Sequence, residues 1–303
     1  MTQHEARFGG VDRLFGKEGA ARLRAAHVCV IGIGGVGSWA VEALARSGIG
    51  ELTLVDLDDV CISNVNRQLH ALNGTFGRPK VEVMAERVQA INPECRVHAR
   101  QEFFLASNAG NILAPGYSFV FDAIDRVSMK ALLIARCRTL GIPVITAGGA
   151  GGRRDPAAIQ VADLAFSTHD RLLSQVRKEL RAKHGFTRGD KAFDVDAVFS
   201  REPQVYAQKD GSVSCERGGK FGFQDRLQHG VWNGEFCDGR VWIDGGIADR
   251  AENCRGNESV RIPKGFRHKA QGCEQRELLW VIANRHKNPN GVSPILPQGE
   301  NSR

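Results

Sequence analysis

Short apolar runs alternate with segments whose apolar residues return every three or four positions, and this continues as far as residue 216. Continuous apolar runs at 28–33, 52–55, 117–121 and 142–147 predict strands buried on both faces. A shorter strand is expected at 96–100 and another at 159–162. Between them fall helical patterns. Residues 5–23 place Phe8, Val11, Leu14 and Phe15 on one face with Arg7 and Arg13 off it, as a lead-in helix or helix pair. Pro79 stands at the first turn of a helix over 81–91, which Asn92 and Pro93 end. A helix over 129–140 turns Leu132, Leu133 and Leu140 toward the core and stops at Gly141. A basic helix is expected over 169–188. Strands alternating with helices in this way predict an α/β, Rossmann-like, doubly wound and mostly parallel sheet with helices on both faces.

The pattern collapses beyond Glu216. Residues 217–303 are rich in Gly, Arg, Asn, Asp and Trp without a sustained period, and only 278–283 resembles an element. High polarity without periodicity argues for loop or disorder. The chain is therefore expected to comprise one nucleotide-binding domain over 1–216 and an irregular C-terminal tail over 217–303.

The first strand runs into Gly32, Gly34, Gly35 and Gly37, a helix follows, and the second strand ends at Asp56. A turn that presents backbone N–H groups and a helix N-terminus to phosphate cannot carry side chains between backbone and ligand. Asp56, about 20 residues past the glycines, is placed to accept hydrogen bonds from ribose hydroxyls. The stretch reads as a nucleotide site, and by itself most resembles a redox-cofactor site. Three features further along add to the site, and the third of them suits a triphosphate. Asp58, Asp59, Ser63, Asn64, Asn66, Arg67 and Gln68 crowd one loop just beyond a parallel strand. Lys80 opens a helix, where a cation opposes the helix dipole and so needs another reason to be present. Asp122 and Asp125 follow the 117–121 strand, where two acids can bind a hydrated Mg²⁺ bridging triphosphate oxygens. A second glycine stretch, 148–152, is followed by Arg153 and Arg154 but by no helix, so it reads as a linker or loop.

Net charge is +7 with a pI near 9.1, which leans toward an anionic macromolecular partner such as RNA. Arg171, Arg177, Lys178, Arg181, Lys183 and Arg188 on the 169–188 helix are the best candidates for RNA phosphate contacts. No two of the eight cysteines are separated by only two residues, which argues against a zinc ribbon. Cys29 in a strand and Cys137 on an apolar helix read as buried, inert thiols. The polar N-terminus shows no signal peptide and no stretch has the length of a membrane helix, so a cytoplasmic location is expected.

Taken in order, the four glycines, Asp56 and Asp58, the run 63–68, Pro79 with Lys80, and Asp122 with Asp125 resemble the ubiquitin-activating-like adenylating superfamily. That group includes the molybdopterin and thiamine sulfur-carrier activators. Arg7, Phe8, Gly9, Gly10 and Arg13, with 121–130 and 202–213, are most similar to its tRNA-modifying branch, whose substrate is threonylcarbamoyladenosine. The resemblance implies ATP and Mg²⁺ as cofactors, modified tRNA as partner, and a homodimer. It implies adenylation of the substrate carboxylate and its capture by the modification's own nitrogen to give a cyclic hydantoin. Arg67 and Lys80 are then implied as phosphate clamps, Asp125 as the Mg²⁺ ligand, Asp56 on ribose, with Asp58, and Asn64 and Gln68 orienting the triphosphate. Arg13 is implied to reach a neighbouring subunit's phosphates, although the sulfur-carrier activators place that arginine where this chain has Gly10. The branch needs neither a paired-cysteine zinc site nor an enzyme thioester. Cys215 is a candidate for a sulfur-acceptor role with a cysteine-desulfurase partner, though an inert thiol is the simpler reading.

The same resemblance leads one to expect small residues and an apolar helix beyond 216. Codons compatible with 236–250 also permit such a segment one frame away, so a reading-frame change near Arg217 is one account of the tail and a lineage-specific extension the other. Adenylation of a sulfur-carrier or ubiquitin-like C-terminus is the alternative activity. A non-catalytic nucleotide-binding scaffold and an NAD dehydrogenase are the readings from other classes.

Overall fold

The computed structural model describes residues 2–208 and 212–215, so the tail over 217–303, with its element at 278–283 and its reading-frame question, lies outside the described residues. In chain order the elements are α1 (Gln3–Ala25), β1 (His27–Ile31), α2 (Gly37–Arg46), β2 (Glu51–Val55), α3 (Lys80–Ile91), β3 (Arg96–Arg100), α4 (Ala109–Ile112) and β4 (Phe119–Asp122). They continue with α5 (Val127–Leu140), β5 (Val144–Ala147), β6 (Ile159–Asp163), α6 (Arg171–Lys183), β7 (Asp196–Ser200), β8 (Tyr206–Ala207) and β9 (Val213–Ser214).

Seven of these strands form one sheet in the order β3-β2-β1-β4-β5-β7-β6, parallel throughout except for β6, which runs antiparallel to β7. The expected mostly parallel, doubly wound sheet is present. Strand order reverses between β1 and β4, so the loops after these two strands diverge to opposite sides and open the crevice in which such sheets bind ligands. Both sheet faces are covered. Val28, Val30, Leu52, Leu54 and Phe121 point to one core with α2 and α3, and Cys29, Ile31, Val120 and Phe199 point to the other with α5 and α6. The period-2 alternation of a strand buried on both sides makes each run continuously apolar.

The helix ends follow their local chemistry. Thr2 and Glu5 form a capping box at the start of α1. Gly16, at φ 71 and ψ 164, breaks α1 into two stretches, which answers the choice between one helix and a pair. Gly141 ends α5 in the left-handed conformation, as expected. On α2, the buried Glu42 takes hydrogen bonds from Arg46 on its own helix and Arg87 on α3, locking these two helices together. Burial by itself raises the Glu42 carboxyl, and the two arginines together outweigh it and leave it below its ordinary value.

Three expectations need correction. Leu14 and Leu140, placed on core faces by period, are exposed. α1 buries only a narrow stripe through Phe8 and Leu23, and Leu140 is the last residue of α5. The basic helix is shorter than 169–188, because Asp170 caps it and it ends at Lys183. Strand β7 was not anticipated, yet it lies inside the sheet between β5 and β6. Its apolar run, Ala197, Val198 and Phe199, is too short for periodicity to register.

Candidate nucleotide site

The turn after β1 is built by backbone contact. Gly32 sits at φ 91 and donates its N–H to the Val55 carbonyl at 2.9 Å, and a Cβ there would lie 2.8 Å from the Ala123 carbonyl oxygen. A Cβ at Gly37 would fall 1.7 Å from the Gly32 carbonyl oxygen. These two glycines are required by the close approach of the turn to β4 and of α2 to the turn. Gly34 has no such neighbour within ordinary contact distance, Gln68 Nε2 at 4.0 Å being the nearest, and with Gly35 it lines the cavity. Among the described residues no side chain caps α2 and no acid stands in its first turn, which leaves the positive end of the helix dipole facing the turn without a counter-charge.

Asp56 ends β2 and accepts hydrogen bonds from the N–H groups of Ile33 at 2.6 Å and Asp58 at 2.9 Å, fixing the carboxylate beside the glycine turn. Burial pushes its carboxyl up, against the Lys80 charge and these two N–H groups. Backbone bonds from Lys80 to Asp58, Val60 to Arg78 and Gly77 to Val60 then tie the loop after β2 to the start of α3. Lys80 is buried, and its Nζ pairs with Asp58 Oδ2 at 2.9 Å. That pair supplies the reason for a cation at a helix N-terminus.

Arg67 is held from both ends. Trp39 Nε1 donates to its carbonyl at 3.1 Å, and its Nη1 donates to the Ser63 carbonyl and Asn66 Oδ1, each at 2.9 Å. Burial pulls its guanidinium down from the ordinary value, and no carboxylate lies within ion-pair distance of it among the described residues. The buried Asn64 accepts from the Cys61 N–H, and the buried Gln68 Oε1 has no partner among the described residues.

The two acids after β4 separate completely. Asp122 is fully buried, with Oδ2 3.1 Å from Lys130 Nζ and 2.8 Å from Thr146 Oγ1, and its Oδ1 accepting from the Ile124 N–H. It cannot reach a metal in the cavity, so the expectation that both acids serve Mg²⁺ is corrected. Asp125 is exposed at the cavity wall, with no hydrogen bond or ion pair among the described residues. Lys130, with no exposed surface, also donates to the carbonyls of Asp122 and Ile124 and so props the loop that carries Asp125.

Most of these groups open on one cavity of about 840 Å³, large among ligand pockets. Gly32, Gly34, Gly35, Asp56, Asp58, Asn64, Arg67, Gln68, Lys80 and Asp125 line it; Gly37 stands behind the turn, and Arg13 is exposed on α1 outside it. The cavity continues past β5 along Gly148–Gly151 to Arg153, Arg171, Gln175, Gln204 and Tyr206. The stretch read from sequence as a linker is therefore part of the site. Asp170 holds it there, accepting the Gly149 N–H with Oδ2 and the Leu173 N–H with Oδ1, both at 2.8 Å.

The basic helix is less basic to solvent than its sequence implied. Arg177 donates to Ser167 Oγ, Arg181 donates to the Thr187 carbonyl and stacks over Phe193, and Lys183 pairs with Glu179. Arg171, Lys178 and Arg188 remain exposed without those ties. Cys29 and Cys137 are buried as expected, burial pushing the Cys29 thiol up to about 12 and the Cys137 thiol up as well. Lys130, Asp170 and Arg153 are the site-building residues that sequence reasoning missed. Their only sequence signal was position, six to eight residues past the end of a strand.

A mostly parallel sheet with a glycine turn, the uncapped N-terminus of α2 beside it and the cations Arg67 and Lys80 lining the same cavity defines a nucleotide-binding protein. Residues 11–170 match the ThiF family, and the chain belongs to that family. It is 55% identical over 209 residues, covering 69% of this chain and 80% of the other, to the tRNA threonylcarbamoyladenosine dehydratase of Haemophilus influenzae. The protein of the same name from Escherichia coli is 52% identical over 208 residues, 68% of this chain and 78% of that one. Among solved structures, the E. coli enzyme TcdA in complex with ATP superposes with a TM-score of 0.67 at 44% identity, covering 82% of this chain and 96% of that one.

Proposed function

We propose that this protein catalyses the ATP-dependent dehydration of threonylcarbamoyladenosine in tRNA to its cyclic hydantoin form. The observation that carries the reading is that the glycine turn, Arg67, Lys80 and Asp125 open on a single cavity with room for an acceptor beyond the phosphates. The similarity to dehydratases and to an ATP complex supports it.

In the reaction a carboxylate oxygen of the threonyl group attacks the α-phosphorus and pyrophosphate leaves. The ureido nitrogen then attacks the activated carbonyl carbon, loses its proton, and expels AMP with the former carboxylate oxygen. The net change in the nucleoside is loss of water. Negative charge spreads over the phosphoryl oxygens in the first step, so neutralisation matters more than a general base. We assign that task to Arg67 and Lys80, with the Gly32–Gly37 turn and the α2 N-terminus on the phosphates. Asp56, with Asp58, takes the ribose side, and Asn64 and Gln68 orient the triphosphate. Asp125 would hold Mg²⁺, since a single free carboxylate beside phosphates suits an ion that keeps most of its waters. The ion would supply further charge neutralisation at the phosphates.

Arg171, Lys178 and Arg188 give the tRNA an exposed basic path beside the cavity. Arg13, exposed on α1, would complete the phosphate site of a second copy in a homodimer. A tRNA substrate fits a cytoplasmic location. Cys215 is exposed and open to a sulfur-acceptor role with a cysteine-desulfurase partner, although the cyclisation itself needs no thiol.

The test incubates the purified protein with ATP, Mg²⁺ and tRNA bearing threonylcarbamoyladenosine. Mass spectrometry of the nucleosides should report the loss of one water, with AMP and pyrophosphate released. An unchanged nucleoside mass from a well-folded sample refutes the proposal.

A further inference from the structure

We propose that the part of the cavity beyond β5 is the acceptor subsite, and that Arg153 is the residue that binds the carboxylate-bearing ureido group of the acceptor. This rests on the dehydratase reading and adds to it the residue that selects the modified nucleoside.

Arg153 is 4% exposed, and its Nε and Nη1 are buried with no hydrogen-bond partner among the described residues. Burial pulls its guanidinium down from the ordinary value, and the charges of Asp170 and Glu202 do not restore it. Both of those carboxylates are already committed. Asp170 accepts the N–H groups of Gly149 and Leu173, and Glu202 accepts those of Arg154 at 2.7 Å and Asp155 at 2.9 Å. The fold thus buries a guanidinium at the wall of a cavity with no carboxylate in ion-pair distance among the described residues, and the two acids whose charges act on it bind backbone. A buried cation is costly unless it is paired, and the missing partner is an anion that enters with a ligand.

The arginine is held in place for that purpose. Its Nη2 donates to the His169 carbonyl at 2.5 Å, and His169 sits at φ 55, a left-handed conformation rare for a side-chain-bearing residue. Gly152, at φ 71, lies where a Cβ would stand 2.4 Å from the Val205 carbonyl oxygen, and its own carbonyl accepts the Val205 N–H at 2.9 Å, which ties the loop that carries Arg153 to this segment. Beside it, Gln204 Nε2 donates to the Gly151 carbonyl and Tyr206 donates to Gln204 Oε1, giving a hydrogen-bonded polar wall. β5 neighbours β4, which neighbours β1, whereas the ribose-side Asp56 lies on β2's end across β1. An acceptor held at Arg153 therefore approaches the α-phosphate from the side opposite the adenosine.

The experiment compares wild type with Arg153→Gln and Arg153→Lys in three measurements: affinity for a fluorescent ATP analogue, binding of modified against unmodified tRNA, and kcat and KM with modified tRNA. Arg153→Gln should keep ATP affinity within about threefold while losing about 100-fold in kcat/KM, the loss expected when a charge-assisted contact is removed. Its preference for modified over unmodified tRNA should disappear, and Arg153→Lys should recover part of it. Equal kcat/KM in wild type and Arg153→Gln overturns the assignment while leaving the dehydratase reading intact. So does a loss of ATP affinity parallel to the loss of turnover, which would make Arg153 a nucleotide contact. If Arg153→Gln does not fold, Arg153→Lys carries the test, and full tRNA preference in that variant alongside wild-type turnover overturns the role of the planar guanidinium. Wild-type protein that neither binds modified tRNA preferentially nor turns it over sinks the underlying reading as well.

Discussion

Replacing Lys130 by Met removes a charge from the centre of the fold at nearly constant length. Lys130 and Asp122 are both fully buried, 3.1 Å apart, and Lys130 Nζ also serves the carbonyls of Asp122 and Ile124. Breaking a buried pair from one side leaves an uncompensated charge and costs about 3–5 kcal/mol. For a domain of this size each kcal/mol lowers Tm by about 2–4 °C, so a drop of roughly 6–20 °C is expected. The cost should depend on pH with a definite sign. Burial already pushes the Asp122 carboxyl up, and Lys130 is the leading influence that opposes it. In Lys130→Met the carboxyl rises further, and an acid whose folded pKa exceeds its unfolded value binds more protons folded, so its stability contribution falls as pH rises through that window. Urea unfolding at about pH 8 and about pH 5.5 should therefore show the larger penalty at pH 8, and adding Asp122→Asn should recover part of it. A penalty below about 1 kcal/mol, or one that grows toward acid pH, would refute the reasoning. Because Ala123 in the same loop packs against Gly32, ATP affinity should fall together with stability.

Lys80→Ala removes the cation paired with Asp58 inside the cavity and should weaken ATP binding or adenylation by about 10- to 100-fold, read by pyrophosphate exchange; unchanged exchange would remove Lys80 from the phosphate site. Gly37→Ala would drive a Cβ into the Gly32 carbonyl, so nucleotide binding should be lost and Tm lowered, whereas Gly34→Ala, with open space around it, should fold normally and lose affinity only. His70 is buried with both ring nitrogens unpaired among the described residues, and burial with the nearby Lys80 charge lowers it to about 4. The folded state then binds fewer protons than the unfolded one between pH 4 and 6.5, so stability should fall by up to about 3 kcal/mol as pH drops through that window. His70→Leu should flatten this part of a pH–stability profile measured by urea unfolding.

Much of the architecture was legible because it is written locally. Buried parallel strands are continuous apolar runs, and β3 was read from sequence over the same residues it occupies in the fold. Gly141 and Pro79 act through their own backbone preferences, so they announced the end of α5 and the start of α3. The nucleotide half of the site was legible for the same reason: its turn, loop and helix start lie within one continuous stretch of chain.

The sequence by itself determined the alternation of strands and helices, the glycine turn after β1, and the set of polar residues placed at strand ends. Tertiary structure decided which of those residues are free to act. Asp122 and Asp125 are alike in type and three positions apart, yet Lys130 and Thr146 claim the first and leave the second at the cavity wall. Six cations on one basic segment read as a uniform face, but Ser167, Thr187 and Glu179 engage three of them. Arg153 read as part of a flexible basic turn, and in the fold it is a buried guanidinium without a carboxylate partner among the described residues, Asp170 and Glu202 binding backbone instead. Periodicity reports burial and backbone preference, which are local properties. Whether a charge is paired depends on which distant side chains arrive beside it, and only the folded chain fixes that.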